Sequence, residues 1–144
     1  MIKRISVKEV EQITYSFAKK TMEWNQPVPD FRTRLPNRLE SCLATPFSSF
    51  SKKDLYPTFL DKAAILFYLL SKNHSFQNGN KRVAVVTLIY FLFINGLKTK
   101  IPPDNLFQLS ILVSESPSEI KDAVLQAIKI ILKKYTQKLS NFAS

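Results

Sequence analysis

The residues that could do chemistry are concentrated in one polar stretch, from Lys72 to Arg82. It contains His74, the one histidine of the chain, and Gly79, one of its two glycines. An imidazole can take a proton from a hydroxyl group near neutral pH, so His74 is a candidate general base. Because an apolar stretch of helical length lies on either side, the pattern predicts a loop that joins two helices and presents a base.

The second half of this stretch would form an anion site where the next helix begins. Backbone N–H groups at a helix N-terminus attract anions, and the helix dipole adds to that attraction. Gly79 would let the backbone approach a phosphate closely. Lys81 and Arg82 place two cations at an end where the dipole disfavours them, a cost that a bound anion would offset. These residues therefore predict a general base beside a phosphate site.

An ordinary corner between two helices would show much of the same pattern. Asn-Gly turns are common, a single histidine is usually inert, and a Lys-Arg pair at a helix start can simply be solvated. Spacing alone leaves both interpretations open.

Length and composition predict one cytoplasmic domain over residues 1–144. Cys42 is the one cysteine and cannot form an internal disulfide, which fits a reducing compartment and a buried structural thiol. The charged N-terminus lacks the apolar core of a signal peptide. The longest apolar run, Val83 to Ile94, is shorter than the roughly 20 residues that span a bilayer, so no membrane association is expected.

The net charge of +10 suggests nucleic acid as a partner. The lysines and arginines are scattered in short groups, however, with no arginine-rich tract and no zinc-finger spacing. This distribution argues against nucleic-acid binding as the main function. It suits an acidic protein partner or a nucleotide substrate.

Apolar periodicity predicts an all-α bundle of about six helices around one central helix, which is apolar on every side. The predicted helices cover residues 7–24, 34–44, 58–72, 80–95, 105–114 and a last one opened at 116–119. Capping boxes are predicted at Ser6–Glu9 and at Ser116–Glu119, where Pro117 would take the first helical position. Gly96 is expected to end the central helix in a left-handed conformation, and the tail from Gln137 is expected to fray.

Residues 46–57 form the longest stretch without a helical pattern, and they include two phenylalanines that look exposed, Phe47 and Phe50. A plain surface loop and a flap that docks a partner are both open interpretations, since binding residues are often carried on loops.

A family resemblance rests on His74-x-Phe76-x-Asn78-Gly79-Asn80-Lys81-Arg82. These residues resemble the signature of the Doc (death-on-curing) branch of the Fic/Doc family, His-x-Phe-x-(Asp/Asn)-(Gly/Ala)-Asn-Lys-Arg. The flanking sequence from about Arg38 to Pro117 is similar to Doc proteins as well. The resemblance implies the Fido-type fold and a toxin of a toxin–antitoxin pair.

The resemblance also implies a reaction. Fic enzymes, with glycine at the position of Lys81, transfer AMP from ATP to a protein hydroxyl. In Doc the lysine at this position makes ATP bind in the reversed orientation. The γ-phosphate is then transferred to a threonine of elongation factor Tu, which arrests translation. By the same resemblance, His74 is the general base, and Asn80, Lys81 and Arg82 hold the phosphates with the loop amides around Gly79. Asn78 is expected to help bind phosphate and Mg²⁺.

Two departures from the family pattern bear on this hypothesis. Asn78 replaces the commoner aspartate, and a neutral amide is a weaker Mg²⁺ ligand than a carboxylate. Ser75 replaces a common proline. The chain also lacks the Ser/Thr-x-x-x-Glu-Gly/Asn segment of self-inhibited Fic proteins, which favours inhibition by a separate Phd-like antitoxin with an acidic tail. A protein kinase, an adenylyltransferase and a non-catalytic binding module remain as hypotheses.

Overall fold

The computed structural model describes residues 1–20, 31, 34–35, 37–73 and 79–141. Within them, six α-helices follow one another: α1 (Val7–Lys20), α2 (Arg38–Ala44), α3 (Phe59–Lys72), α4 (Asn80–Ile94), α5 (Pro103–Glu115) and α6 (Lys121–Tyr135). Two antiparallel ribbons complete the fold, β1 (Ser49–Phe50) with β2 (Lys53–Asp54) and β3 (Leu97–Thr99) with β4 (Thr136–Lys138). The predicted mostly helical bundle is confirmed.

Helix α4 runs through the centre of the molecule, as its apolar sequence predicts. All residues from Arg82 to Leu88 are buried, and so are Phe91 and Leu92. Helix α1 packs against α4, while α3 packs against α4, α5 and α6. Because α3 and α4 are joined by residues 73–79, the polar stretch connects the two most buried helices. No helix in the described part of the chain is long and apolar enough to cross a membrane.

Two capping boxes begin helices in the described part of the chain. At α1, the Ser6 hydroxyl accepts the Glu9 N–H at 3.1 Å, and the Glu9 carboxylate accepts the Ser6 N–H at 3.1 Å, as predicted. Thr58 and Asp61 form the same reciprocal pair at α3, which was not predicted from the sequence. The end predicted for α1, near Trp24, lies outside the described residues.

The capping box predicted at Ser116–Glu119 is wrong. The Ser116 hydroxyl instead donates to the Val113 carbonyl oxygen at 2.6 Å, one of the carbonyls that lose their helical partners where α5 ends. Pro117 is extended, a short 3-10 helix covers Ser118–Ile120, and α6 begins only at Lys121. The serine therefore ends one helix rather than beginning the next.

The ends of other elements also differ from the prediction. Asn37 is left-handed (φ 67°), so α2 begins at Arg38, four residues later than expected. Gly96 is left-handed (φ 80°) after α4, as predicted. The fraying predicted from Gln137 is wrong for residues 137–141, because β4 pairs with β3 and the Leu139 N–H donates to the Gly96 carbonyl at 2.9 Å. Residues 142–144 lie outside the described residues.

Residues 46–57 are more regular than expected. A 3-10 helix over Thr45–Phe47 leads into the β1–β2 hairpin. Phe50 is 75% exposed, as predicted, but the exposure predicted for Phe47 is wrong. Phe47 packs edge-to-face on Phe91, with 6.3 Å between ring centroids, and the Arg4 guanidinium covers it at 4.4 Å.

Candidate functional site

The start of α4 has the backbone geometry that an anion site requires. Gly79 is buried and left-handed (φ 81°, ψ 8°) at the N-cap position. Its carbonyl accepts the Val83 N–H at 3.1 Å, so α4 begins at Asn80 as predicted. The amides of the first turn are aimed out of the helix end, where the dipole favours negative charge. They are also fixed on one of the two most buried helices in the described part of the chain.

Three side chains predicted to bind phosphate lie on this first turn. Asn80 and Lys81 are partly exposed, whereas Arg82 is only 4% exposed. Burial lowers the pKa of the Arg82 guanidinium below its usual range. The Arg82 charge is therefore not a solvated surface charge, which argues against the interpretation of an ordinary corner between two helices. A cation in such surroundings interacts strongly with a nearby anion because the local dielectric is low.

His74 and Asn78 lie outside the described residues, as does the rest of the segment 74–78. Their predicted roles as base and as phosphate or metal ligand stay predictions. The residues on either side, Asn73 and Gly79, are described and lie at the ends of α3 and α4. The structure thus brings Gly79, Asn80, Lys81 and Arg82 together directly after the segment that contains the histidine.

Asn73, immediately before the histidine, is held by two hydrogen bonds. Its N–H donates to the Leu69 carbonyl at 2.8 Å, and its side-chain amide donates to the Cys42 sulfur at 3.1 Å. Cys42 is buried, and this burial raises the pKa of its thiol to about 11. The predicted structural role of Cys42 is confirmed. The bond to Asn73 also ties α2 to the start of the histidine segment, a role that the sequence did not indicate.

Lys72 brings a further positive charge to this end of α3. Its ammonium donates to the Ser116 carbonyl, where α5 ends, and lies 5.6 Å from the centre of the Tyr68 ring. The Lys121 ammonium lies 5.7 Å from the same ring. Residues almost 50 positions apart in sequence therefore add positive charge near the end of α3 that leads into the histidine segment. A contact between residues so far apart in sequence cannot be predicted from a local sequence pattern.

The described donors fit the phosphates of a nucleotide better than they fit a bare metal ion. The first turn of α4 offers a cation, a buried guanidinium and an amide, and it contains no acidic residue. Within the described part of the chain, no three His, Cys, Asp or Glu side chains are grouped as metal ligands. A Mg²⁺ ion at this site would take its ligands mainly from a bound triphosphate, with Asn78 as the predicted protein ligand.

Comparison with known proteins identifies the family of the chain. The family model described as Fic/DOC family matches residues 4–92, more than half of the chain, from the N-terminus through most of α4. A relative from Mycolicibacterium smegmatis (strain ATCC 700084 / mc(2)155), named Toxin Doc, is 40% identical over 60 residues. The match covers 42% of this chain and 46% of the relative, so the chain spans about half of the length of that protein. No solved structure matches the chain.

Proposed function

The chain belongs to the Fic/DOC family, and from this premise we propose that it is a toxin that transfers the γ-phosphate of ATP to a protein hydroxyl. One observation carries the proposal. A lysine, Lys81, lies in the first turn of a buried helix, between a left-handed glycine and a buried arginine. The family resemblance associates a lysine at this position with phosphate transfer rather than AMP transfer. The similarity to a protein named Toxin Doc supports the toxin role.

In the proposed reaction, this chain binds and orients ATP and deprotonates the target hydroxyl. The α4 amides with Asn80, Lys81 and Arg82 hold the triphosphate, and His74 takes the proton of the target serine or threonine hydroxyl. The hydroxyl oxygen then bonds to the γ-phosphorus while the bond to the bridging oxygen breaks and ADP leaves. Mg²⁺ bound to the triphosphate would neutralise part of its charge. Phosphoryl transfer needs mainly positioning and charge neutralisation, which rigid amides and cations supply.

The proposed target is elongation factor Tu in the cytoplasm, modified on a threonine so that translation stops. The exposed β1–β2 hairpin is the surface that we propose docks this target, in keeping with the flap hypothesis. The proposed inhibitor is a Phd-like antitoxin whose acidic tail folds onto the chain. A net charge of +10 favours such a tail over a basic or neutral one.

Transfer of AMP is the second candidate, because the matching family model covers both the Fic and Doc branches. The mass of purified elongation factor Tu after incubation with ATP and Mg²⁺ distinguishes the two. We expect a gain of one phosphate with the wild-type chain and no gain with His74→Ala. A gain of AMP would favour the second candidate. No gain, together with equal growth arrest by the wild-type chain and His74→Ala, would leave only a non-catalytic binding module.

Lys81→Gly tests the residue that carries the proposal. If Lys81 sets the direction of the nucleotide, this variant loses phosphate transfer and gains AMP transfer, as measured by the mass added to the target. Lys98→Gly, an exposed lysine on β3, is the control for loss of a positive charge. Unchanged phosphorylation by Lys81→Gly would show that Lys81 has no part in the reaction.

A further inference from the structure

Lys62, in the first half of α3, is a charged residue in the core. Its side chain is 5% exposed, although lysine is among the residues least often buried. Burying an ammonium is costly unless hydrogen bonds and opposite charge compensate for the lost water. The partners that provide this compensation show what the residue holds in place.

The described partners of Lys62 all belong to the segment that carries the β1–β2 hairpin. Its ammonium donates to the Pro46 carbonyl at 3.3 Å, before the hairpin, and to the Tyr56 carbonyl, after it. The Asp54 carboxylate on β2 lies 3.5 Å away. One ammonium therefore joins the two ends of the hairpin to each other and to the core helix.

The hairpin needs such an attachment because it has little stability of its own. Each strand is two residues long, and a two-stranded ribbon is marginal in water even at greater length. Ser51 and Lys52, at the turn, adopt positive φ angles of 50° and 67°, which are unfavourable for residues with a Cβ. The strand residues are all exposed, and the Leu55 N–H to Ser48 carbonyl bond (3.0 Å) lies at the base.

We propose that Lys62 is a positioning residue, which holds the hairpin as a preformed edge for an extended segment of the protein substrate. This inference rests on the proposed function. A short exposed strand can pair with a peptide backbone, and the exposed Phe50 ring beside it can bind an apolar side chain. Fixing that edge in advance lowers the entropy cost of binding. Lys62 would therefore affect binding of the protein substrate and leave the nucleotide unaffected.

Amide hydrogen exchange tests the attachment without reference to activity. Lys62→Met keeps the length of the side chain and removes the charge and the donors. We expect the Leu55 amide to exchange about tenfold faster, equivalent to about 1.4 kcal/mol, while amides of α4 keep their protection. Lys53→Met, an exposed lysine on β2, is the matched control and should change nothing. Unaltered exchange at Leu55 would overturn the proposal.

A second variant keeps this test decisive where Lys62→Met also unfolds the core. Asp54→Asn removes only the ion pair, from a carboxylate that is 56% exposed. It should speed Leu55 exchange by a smaller factor with an unchanged thermal midpoint. If neither variant changes exchange at Leu55 before the chain unfolds globally, the hairpin does not depend on Lys62.

Steady-state kinetics test the consequence for the substrate. With elongation factor Tu as the probe, Lys62→Met should raise its KM about tenfold, with the KM for ATP and kcat nearly unchanged. Lys62→Arg should recover part of the loss. An equal rise in both KM values, or a fall in kcat alone, would contradict a role in docking. If the wild-type chain transfers no phosphate, the proposed function fails, and hydrogen exchange still decides whether Lys62 positions the hairpin.

Discussion

Gly79 and Gly96 lie at the two ends of α4 with nearly the same backbone conformation, φ 81° and φ 80°. A left-handed residue was expected from the sequence only at Gly96, which follows the apolar run of α4. At Gly79 the sequence indicated a close approach of the backbone to a phosphate. Only Gly79 lies beside the predicted phosphate site. Comparing the two glycines therefore separates the effect of a left-handed backbone on stability from the effect of Gly79 on phosphate binding.

Alanine at either position should cost about 1–2 kcal/mol of stability, since a left-handed backbone disfavours a Cβ. Nothing lies within 4 Å of a Cβ added at Gly96, so strain is the only cost there. We expect Gly79→Ala also to lose ATP binding, and Gly96→Ala to retain it, as measured by calorimetry on the folded variants. Equal ATP affinity in the two variants would show that the Gly79 backbone does not approach the phosphates.

Cys42 should be inert in the native protein. Burial raises the pKa of its thiol to about 11, so very little of the reactive thiolate is present at pH 8. A colorimetric disulfide reagent should label it only when the chain unfolds, with the guanidinium-unfolded protein as the control. Rapid labelling of the native protein would contradict the buried position.

For single residues, the sequence predicted which residue types could bind or react, but it did not predict their burial or their contacts. His74, Gly79 and Lys81 could be selected because spacing and signature are local properties. The burial of Arg82 and the bond from Asn73 to Cys42 could not, because both depend on helices distant in the sequence.

Helix starts show how one sequence pattern leads to different structures. Ser6–Glu9 and Ser116–Glu119 both match the capping-box pattern, yet only the first forms it. The two serines differ in the residues that precede them. Ser116 directly follows α5, and its hydroxyl donates to a carbonyl at the end of that helix. Thr58–Asp61 completes a box with aspartate in place of glutamate, which the usual pattern leaves out.

Alanine substitutions should reproduce this difference in stability. Thr58→Ala removes the acceptor for the Asp61 N–H and should lower the free energy of unfolding by about 1 kcal/mol. Ser116→Ala removes a hydroxyl that caps no helix start, and we expect a loss of less than half of that. Urea unfolding of the two variants, each compared with the wild type, makes the measurement. A larger loss for Ser116→Ala would mean that Ser116 caps α6 after all.

Ribbon pairing was the part of the fold that local reasoning missed. Strands β3 and β4 are three residues long and separated by 36 residues, with no alternating pattern in either. Helices α3, α4 and α5, of 13 to 15 residues, were predicted within two residues of their ends, α4 from its length and continuous apolar run.

At the scale of the molecule, α1 is joined to the central helix by a polar contact. The Tyr90 hydroxyl donates to the Glu9 carboxylate at 2.9 Å, and the Ser6 N–H donates to the same side chain. Burial acts to raise the pKa of Glu9, but the Ser6 and Tyr90 hydrogen bonds outweigh it and lower the pKa below its ordinary value of 4.5.

This contact predicts a dependence of stability on acid. A carboxyl whose pKa is lowered in the folded state stabilises it above the unfolded pKa, and that contribution is lost as the pH falls through the folded value. Glu9→Gln should therefore unfold at a lower temperature than the wild type at pH 7, with the difference shrinking below about pH 4.5. Glu115→Gln, at an exposed position, is the control. A difference that grows on acidification would contradict the lowered pKa.

The proposed function requires that the γ-phosphate of ATP, and not AMP, reach the protein target. The most direct measurement incubates the chain and elongation factor Tu with ATP labelled at the γ-phosphate or at the α-phosphate, in parallel. We predict that only the γ label is transferred to the protein, and that His74→Ala abolishes the transfer. Transfer of the α label would contradict phosphate transfer and assign the chain to the AMP-transferring branch.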